Sequence, residues 1–198
     1  MIEMKKIAFI LIILSSLSFT TSVIVNNTKV LISPKSQLFI KGFTNVNSFI
    51  CAFNIKELNK PIPLYYKVIE DKIVFEKAKL VLENNCFDCG RKGVNKDFMT
   101  LLKSDDYPEI LLELKEINKD KNIPSVINAL VKLEIAGKTK SYPLSIEFKE
   151  EGNIRVSGSL KINITDFGLD APKKALGLIV VSEDIEIKFE LFFKECKK

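Results

Sequence analysis

The chain contains no histidine, and its 198 residues include only 7 prolines, 8 glycines and 4 cysteines. Without histidine, Ser-His-Asp and Cys-His nucleophile systems and histidine-based metal sites are excluded. The sequence also has no P-loop and no GxGxxG motif. Three carboxylate pairs fall in predicted turns or at strand ends: Asp105/Asp106, Glu150/Glu151 and Glu183/Asp184. Acidic turns are usually solvated rather than catalytic, so we expect a protein that is not an enzyme and needs no cofactor.

The net charge of +5 is spread along the chain, with lysines alternating with glutamates. No basic block with interleaved aromatic residues occurs, and such a block is typical of nucleic-acid binding. We therefore expect no nucleic-acid partner.

The first 22 residues have the pattern of a secretory signal peptide. Two lysines lie within residues 1–6, an apolar run covers residues 7–14, and serine and threonine dominate residues 15–22. Met4 is an alternative initiator, because Glu3 fits the basic region badly. An uncleaved membrane anchor is the other interpretation, although the run is short for a span. We expect a signal peptide over residues 1–22, a mature domain over residues 23–198, and a periplasmic or secreted location.

Export changes the interpretation of the cysteines Cys51, Cys86, Cys89 and Cys196. In an oxidising compartment they are expected to form disulfides, and four cysteines allow three pairings. The Cys86-x-x-Cys89 spacing also occurs in zinc and redox sites. Neither the βαβ context of a redox motif nor a converging zinc set is evident here, so we expect a structural bridge and no metal.

Residues 154–164 show the clearest strand pattern. Ile154, Val156, Leu160, Ile162 and Ile164 share one face, with Gly158 as the gap, and polar residues occupy the other face. Side chains alternate between the two faces of a strand, so this stretch predicts a strand with one buried face.

Similar alternation recurs in residues 48–56, 109–118, 127–135, 142–148 and 185–193, and residues 36–43, 64–70 and 72–83 are further strand candidates. Short turns separate several of these stretches, which predicts an antiparallel meander. One short helix is expected in a loop at residues 95–103, with Asn95 as its N-cap. The pattern predicts an all-β fold, an antiparallel barrel of about eight strands.

Such a barrel either fills its interior with side chains or holds one apolar ligand, and the periodicity alone does not separate these alternatives. The inward faces of the predicted strands supply the candidate lining residues. These are Phe53, Leu112, Leu114, Val131, Leu133, Leu144, Ile146, Phe148, Leu160, Ile162, Ile187 and Phe189.

Several segments resemble the YceI-like family in the form common among exported bacterial members. The first is GFTNVNSFIC at residues 42–51, which is similar to the family's Gly-x-Thr-Asn-Val-x-x-Phe-x-Cys segment. Further segments, in the same order as in the family, are FDCG at 87–90, NKDF at 95–98, YPEI at 107–110, LEIAGKT at 133–139, LKIN at 160–163 and DFGL at 166–169. The resemblance covers residues 36–194.

This resemblance implies an extended, lipocalin-like barrel whose tunnel holds an isoprenoid or another long-chain amphipathic lipid. It also implies a Cys51–Cys89 disulfide, which leaves Cys86 and Cys196 as candidates for a second pair. The chain departs from the family at Ile164, where many members carry arginine, and in having no histidines near its start.

We therefore expect non-enzymatic binding or carriage of a long apolar ligand in the cell envelope. We expect the helix at residues 95–103 and the loop at 165–171 to shape the mouth of the barrel. The alternative is a structural or interaction protein of the envelope with a filled barrel and no ligand. A homodimer is a further expectation.

Overall fold

The structure, a computed structural model, describes residues 24–151, 153–174 and 178–196. The predicted signal peptide, residues 1–22, lies outside the described residues. Within the described ranges, no helix has the length and hydropathy that crossing a bilayer requires.

The described residues form fourteen strands, one α-helix and three short 3₁₀ helices. In chain order the strands are β1 (Asn26–Ile32), β2 (Gln37–Phe43), β3 (Ser48–Phe53), β4 (Ile62–Ile69), β5 (Lys72–Lys77), β6 (Lys79–Glu83), β7 (Phe87–Asp88), β8 (Glu109–Lys119), β9 (Val126–Ile135), β10 (Lys138–Glu151), β11 (Asn153–Asn163), β12 (Lys173–Lys174), β13 (Ile179–Val180) and β14 (Asp184–Glu195). The helix α1 spans Lys92–Leu101, and the 3₁₀ helices are Ile55–Glu57, Asn84–Cys86 and Ile164–Phe167.

Eight strands close into a barrel in the order β1-β4-β5-β8-β9-β10-β11-β14, and β14 pairs back onto β1 through Val30 and Glu195. All pairings in this ring are antiparallel. The predicted all-β, eight-stranded antiparallel barrel is confirmed. Outside the ring, β2, β3 and β7 extend the sheet from β14, and β6 pairs with β8.

The alternation of buried and half-buried residues is clearest in β9, where Ile127, Ala129, Val131, Leu133 and Ile135 are all buried. Each faces the interior because successive side chains of a strand point to opposite faces. In β8 a bulge between Leu114 and Glu116 shifts this phase, so that Ile117 pairs with Ala129. One extra residue in a strand re-aims the side chains that follow it.

The barrel has two different ends. At one end, which we call the hairpin end, the loops β4–β5, β8–β9 and β10–β11 connect neighbouring strands. At the other, the closed end, lie the β2–β3 turn, α1 and the 3₁₀ helix Ile164–Phe167.

An apolar cluster fills the closed end. Phe98 and Leu102 from the helical segment are buried, as are Ile164, Phe167 and Leu169 from the loop after β11. We call these five residues the end plug. The expectation that the helix and the loop at 165–171 shape the mouth is therefore wrong, because both segments turn apolar side chains inward and block this end.

The helix also begins earlier than its sequence pattern predicts. It starts at Lys92, and Asn95 lies inside it rather than at its N-cap. The Asn95 side chain instead accepts a hydrogen bond from the backbone N–H of Cys89 at 2.7 Å and donates one to Asp88 at 3.1 Å. Asn95 thus fastens the helix to the cysteine-containing loop.

A disulfide joins Cys51 in β3 to Cys89 after β7, as the family resemblance implies. Cys51 is completely buried. Cys86 and Cys196 are free, so the second pair is not formed. Cys86 lies in the 3₁₀ helix at the closed end, whereas Cys196 follows β14 and donates its backbone N–H to Lys29 near the hairpin end.

We predict that the double variant Cys51→Ala/Cys89→Ala has a free energy of unfolding lower by about 4 kcal/mol, the chain-entropy value for a bridge spanning 38 residues. Urea denaturation of the oxidised proteins measures this difference. The matched control is Cys86→Ala/Cys196→Ala, which removes two free thiols. An equal loss of stability in the control would contradict the assignment of the bridge.

Candidate functional site

The interior of the barrel contains an elongated cavity of about 290 Å³. One buried water needs only about 10–15 Å³ of such space. The barrel is therefore hollow, which answers the question that the sequence pattern left open.

The wall of this cavity is almost entirely apolar. Of its thirty lining residues, 29 are aliphatic or aromatic, and the exception is Lys79 at the junction of β5 and β6. Lys79 is itself exposed to solvent. A wall of this kind offers an apolar chain a favourable environment and gives a polar group almost no hydrogen-bonding partner.

Ten of the predicted lining residues contact the cavity: Leu112, Leu114, Val131, Leu133, Leu144, Ile146, Phe148, Leu160, Ile187 and Phe189. Their role in binding a lipid stays a prediction.

Two predicted lining residues, Phe53 and Ile162, do not line the cavity. Both are buried, but Phe53 packs edge-on against Phe87 with ring centroids 5.0 Å apart. Ile162 lies under the end plug and beside a shallow, partly charged surface depression. Both side chains belong to the packed core, so a buried position on a strand is not by itself a position on the cavity wall.

The sequence interpretation missed the wall formed by the first seven strands. Eleven apolar residues from this part of the chain line the cavity: Val30, Ile32, Leu38, Ile40, Ile62, Leu64, Phe75, Ala78, Leu80, Leu82 and Phe87. Eight further lining residues of the later strands were also not predicted: Ile110, Ile117, Ile127, Ala129, Ile154, Val156, Leu191 and Phe193. Leu38 and Ile40 show the same period-2 signal as the later strands. The signal is obscured in β4 and β5 because their pairing shifts register between Tyr65 and Tyr66.

The solvent exposure of the lining side chains is lower near the closed end of the cavity than near the hairpin end. Near the closed end, Leu133, Ile110 and Leu160 are 1, 4 and 6% exposed. Near the hairpin end, the inward-facing Phe148 and Ile154 are only half-buried. Among the described residues, this end carries hairpin loops and chain ends but no packed segment like the end plug, so we infer that the cavity opens there.

The cavity is long and narrow. Its wall runs from Ile154 to Leu160 along β11 and from Ile187 to Phe193 along β14. Six residue steps at about 3.4 Å give about 20 Å along a strand, or about 15 Å along a barrel axis at the usual tilt. This shape suits an extended chain better than a compact ring system.

Gly158 makes room for an aromatic ring half-way along the cavity. It pairs with Phe189, and a Cβ atom at this position would lie 3.0 Å from the Phe189 ring and 3.2 Å from Ile146. The missing side chain therefore leaves the space in which the Phe189 ring lies against the wall. Gly158, which interrupts the alternating apolar pattern of β11, therefore contributes to the shape of the cavity.

Three polar residues attach the 3₁₀ helix Ile164–Phe167, which we call the plug segment, to the barrel wall. The Tyr142 hydroxyl donates a hydrogen bond to Asp166 at 3.0 Å, and Lys140 forms an ion pair with the same carboxylate. These contacts, that of Lys140 first, hold the pKa of Asp166 below its usual value. Burial, reinforced by Asp166, raises the pKa of Tyr142. The two shifts agree on a neutral tyrosine that donates to an ionised aspartate.

The described lining residues include no carboxylate, hydroxyl or thiol, and the one titratable side chain among them, Lys79, is exposed to solvent. Such a wall is suited to contact with an apolar ligand. Within the described residues, no group of three Cys, Asp or Glu side chains is placed to hold a metal ion. The expectations of no cofactor and no metal remain predictions.

Comparison with known proteins identifies one family and several structural relatives. The YceI-like domain model matches residues 43–193. The chain is similar to Burkholderia cenocepacia BcnA, with 18% identity, a TM-score of 0.56, and coverage of 81% of this chain and 96% of that one. It is also similar to a polyisoprenoid binding domain from Saccharophagus degradans implicated in plant cell wall breakdown, with 14% identity, a TM-score of 0.60, and coverage of 85% and 99%.

The YceI protein of Campylobacter jejuni is a third relative, with 20% identity, a TM-score of 0.50, and coverage of 63% of this chain and 74% of that one. At these identities the structural likeness shows a shared fold. A comparison with curated protein sequences finds no significant match.

We predict that Asp166 makes the attachment of the plug segment sensitive to acid. Because the folded-state pKa of Asp166 lies below its usual value of 3.8, the stabilisation is fully present above that pH and is lost as pH falls through the folded-state pKa. In thermal melts at neutral pH, Asp166→Asn should have a lower melting temperature than the wild type. The difference between the two melting temperatures should become smaller below about pH 4. Asp170→Asn, an exposed change in the same loop, is the control and should follow the wild type; a gap that stays constant in acid would contradict the prediction.

Proposed function

This chain belongs to the YceI-like domain family, and from that membership and the apolar cavity we propose that it binds a single long apolar chain, such as an isoprenoid or another amphipathic lipid. The observation that carries the proposal is the cavity itself, about 290 Å³ in volume and lined by 29 apolar residues and one lysine. Binding would occur by burial of the chain, without a chemical step.

The energy of such binding comes from removing methylene groups from water. Each buried methylene contributes about 0.8 kcal/mol, so ten of them contribute about 8 kcal/mol. Association opposes this with at least about 4 kcal/mol of lost translational and rotational freedom. The net gain is sufficient for retention without specific polar contacts inside the barrel.

The chemical class of the bound ligand is supported by analogy with a protein of the same fold. One structural relative is described as a polyisoprenoid binding domain, and we propose a ligand of the same class for this protein. The head group would remain at the opening, because the wall is apolar and its one lysine, Lys79, is exposed to solvent. Ile164, which stands where many relatives carry arginine, is buried in the end plug and offers no polar contact.

The competing function is that of an interaction protein with a filled barrel. It fits less well because the cavity is unfilled along about 20 Å of strand. The proposal also includes a periplasmic or secreted location, supported by the signal-peptide pattern of residues 1–22. N-terminal sequencing of the protein purified from its native host tests this part, and retention of residues 1–22 would contradict it.

Solvent extraction of the purified protein followed by mass spectrometry tests the function directly. We expect a stoichiometric long-chain lipid in the extract. An empty extract, together with no uptake of a fluorescent fatty-acid probe by the stripped protein, would overturn the proposal.

We predict that Ile146→Glu abolishes retention of the chain, because it places a carboxylate on the apolar wall where no partner is available. The control is Ser159→Glu, an exposed and outward-facing change on the neighbouring strand. Extracted lipid is measured for both, with circular dichroism to establish that each variant is folded. Equal lipid in a folded Ile146→Glu protein would show that the wall assignment is wrong.

A second prediction concerns Gly158, which leaves the space for the Phe189 ring. Gly158→Val should push the Phe189 ring into the cavity and reduce the affinity for a fluorescent fatty-acid probe by about tenfold, equivalent to about 1.4 kcal/mol. Ser159→Val adds the same side chain to the outer face of the same strand and should leave the affinity unchanged. A Gly158→Val protein with wild-type affinity would show that the chain does not pass this point.

A further inference from the structure

Five aliphatic side chains are exposed at the hairpin end. They are Ile24, Val25, Val68, Ile69 and Ile123, with 75, 41, 57, 46 and 52% of their surface accessible. We call them the aliphatic rim. They occupy the two residues before β1, the tip of the β4–β5 hairpin and the β8–β9 loop.

Sheet register places these segments side by side. Asn26 in β1 pairs with Tyr66 in β4, so Ile24 and Val25 leave the sheet in the same direction as the hairpin tip at Val68 and Ile69. Lys72 pairs with Asn118, which sets the same hairpin beside the β8–β9 loop that carries Ile123. The aliphatic rim therefore forms one side of the open end.

Loop tips that face water normally carry polar residues, and a group of exposed aliphatic residues marks a surface for interaction. This group stands beside the opening of the cavity, where the lining residues Phe148 and Ile154 are half-buried. The same end of the barrel thus presents apolar surface both inside and outside the opening.

Charges near the rim do not favour either sign. At residues 119–121, Lys119 and Lys121 flank Asp120, and in the adjacent hairpin turn Glu70 and Asp71 precede Lys72, so three lysines balance three carboxylates. Attraction to a strongly charged partner is therefore weak at this surface. An uncharged aliphatic edge matches the interfacial layer of a lipid bilayer, into which such side chains insert.

The aliphatic rim lies next to the opening of the cavity, and this position indicates which partner contacts the rim. A long chain that leaves a bilayer through water exposes its methylenes, at about 0.8 kcal/mol each. If the open end is seated in the bilayer, the chain passes from lipid to the cavity wall without that exposure. A protein partner or a second copy of this chain would cover the opening rather than supply the apolar chain.

We propose that the aliphatic rim is a membrane-docking surface, which inserts into a lipid bilayer and presents the open end of the cavity to the lipids there. This inference rests on the proposed function, because it assigns the route by which the chain enters and leaves. Docking is driven by apolar insertion and is only weakly dependent on salt.

The test is cosedimentation with vesicles of phosphatidylethanolamine and phosphatidylglycerol. The triple variant Val68→Asp/Ile69→Asp/Ile123→Asp should bind these vesicles about tenfold more weakly than the wild type, which corresponds to about 1.4 kcal/mol. The matched control is Val46→Asp/Leu178→Asp/Val180→Asp, which changes three equally exposed aliphatic residues, 70, 77 and 42% accessible, at the closed end. The control should bind as the wild type does, and equal losses in both variants would overturn the proposal.

A spectroscopic measurement gives the orientation. The chain contains no tryptophan, so Ile123→Trp and Val46→Trp each introduce a single fluorophore. Tryptophan emission shifts to the blue when the ring enters the membrane interface, where this side chain is favoured. We expect the shift on adding vesicles for Ile123→Trp only. A shift for Val46→Trp alone would show that the closed end faces the membrane.

Two further readouts separate the rim from the cavity. The rim triple variant should still take up a fluorescent fatty-acid probe in solution, because its changes lie outside the cavity wall. If the wild type takes up the probe but does not bind vesicles, docking is wrong and the proposed function stands. If the wild type takes up no probe, the proposed function fails first. A change in molecular mass of the rim variant by analytical ultracentrifugation would show that the rim is an interface between copies, which also overturns docking.

Discussion

A polar group that faced the inside of this barrel would have no partner, and the rest of the structure depends on that constraint. The closed ladder of eight strands satisfies the backbone hydrogen bonds within the wall. What remains inside is only side chains, and a polar side chain there would lose its hydration without compensation. The interior positions are consequently apolar along the whole ring, and register errors are strongly disfavoured because a one-residue slip would turn lysines and glutamates inward.

The same constraint explains why the two ends differ. A hollow apolar barrel gains from burying as much of its interior as it can, and at the closed end this is done by the end plug, with Phe167 only 1% exposed. The plug segment is itself tied to the wall by the polar contacts of Tyr142 and Lys140 with Asp166. In the part of the chain that the structure describes, the hairpin end has no such segment, and the lining residues Phe148 and Ile154 there are only half-buried. One end of the barrel is therefore held by the Cys51–Cys89 disulfide and by polar contacts, whereas the other end is open.

The predictable part of the fold is the part in which local pattern and tertiary environment agree. In β9, β10 and β11 the period-2 alternation coincides with long, regular pairings, so the directions of these strands follow from sequence, as do six of the ten predicted residues that contact the cavity. Bulges hide the pattern in β4, β5 and β8, because one inserted residue reverses the phase of everything after it. Phe53 and Ile162 show a different limit, since periodicity indicates that a residue faces inward but not whether its level is hollow or filled. The position of the opening depends on how α1 and the loop after β11 pack across the barrel, and that is a tertiary property.

The free thiol of Cys86 lies three residues before one partner of the disulfide. Burial first, and then the negative charges of Glu83 and Glu57, raise the pKa of this thiol above its ordinary value. Exchange between a thiol and a disulfide requires the thiolate as the attacking species. The raised pKa lowers the thiolate fraction of Cys86, and this disfavours its attack on the neighbouring bridge.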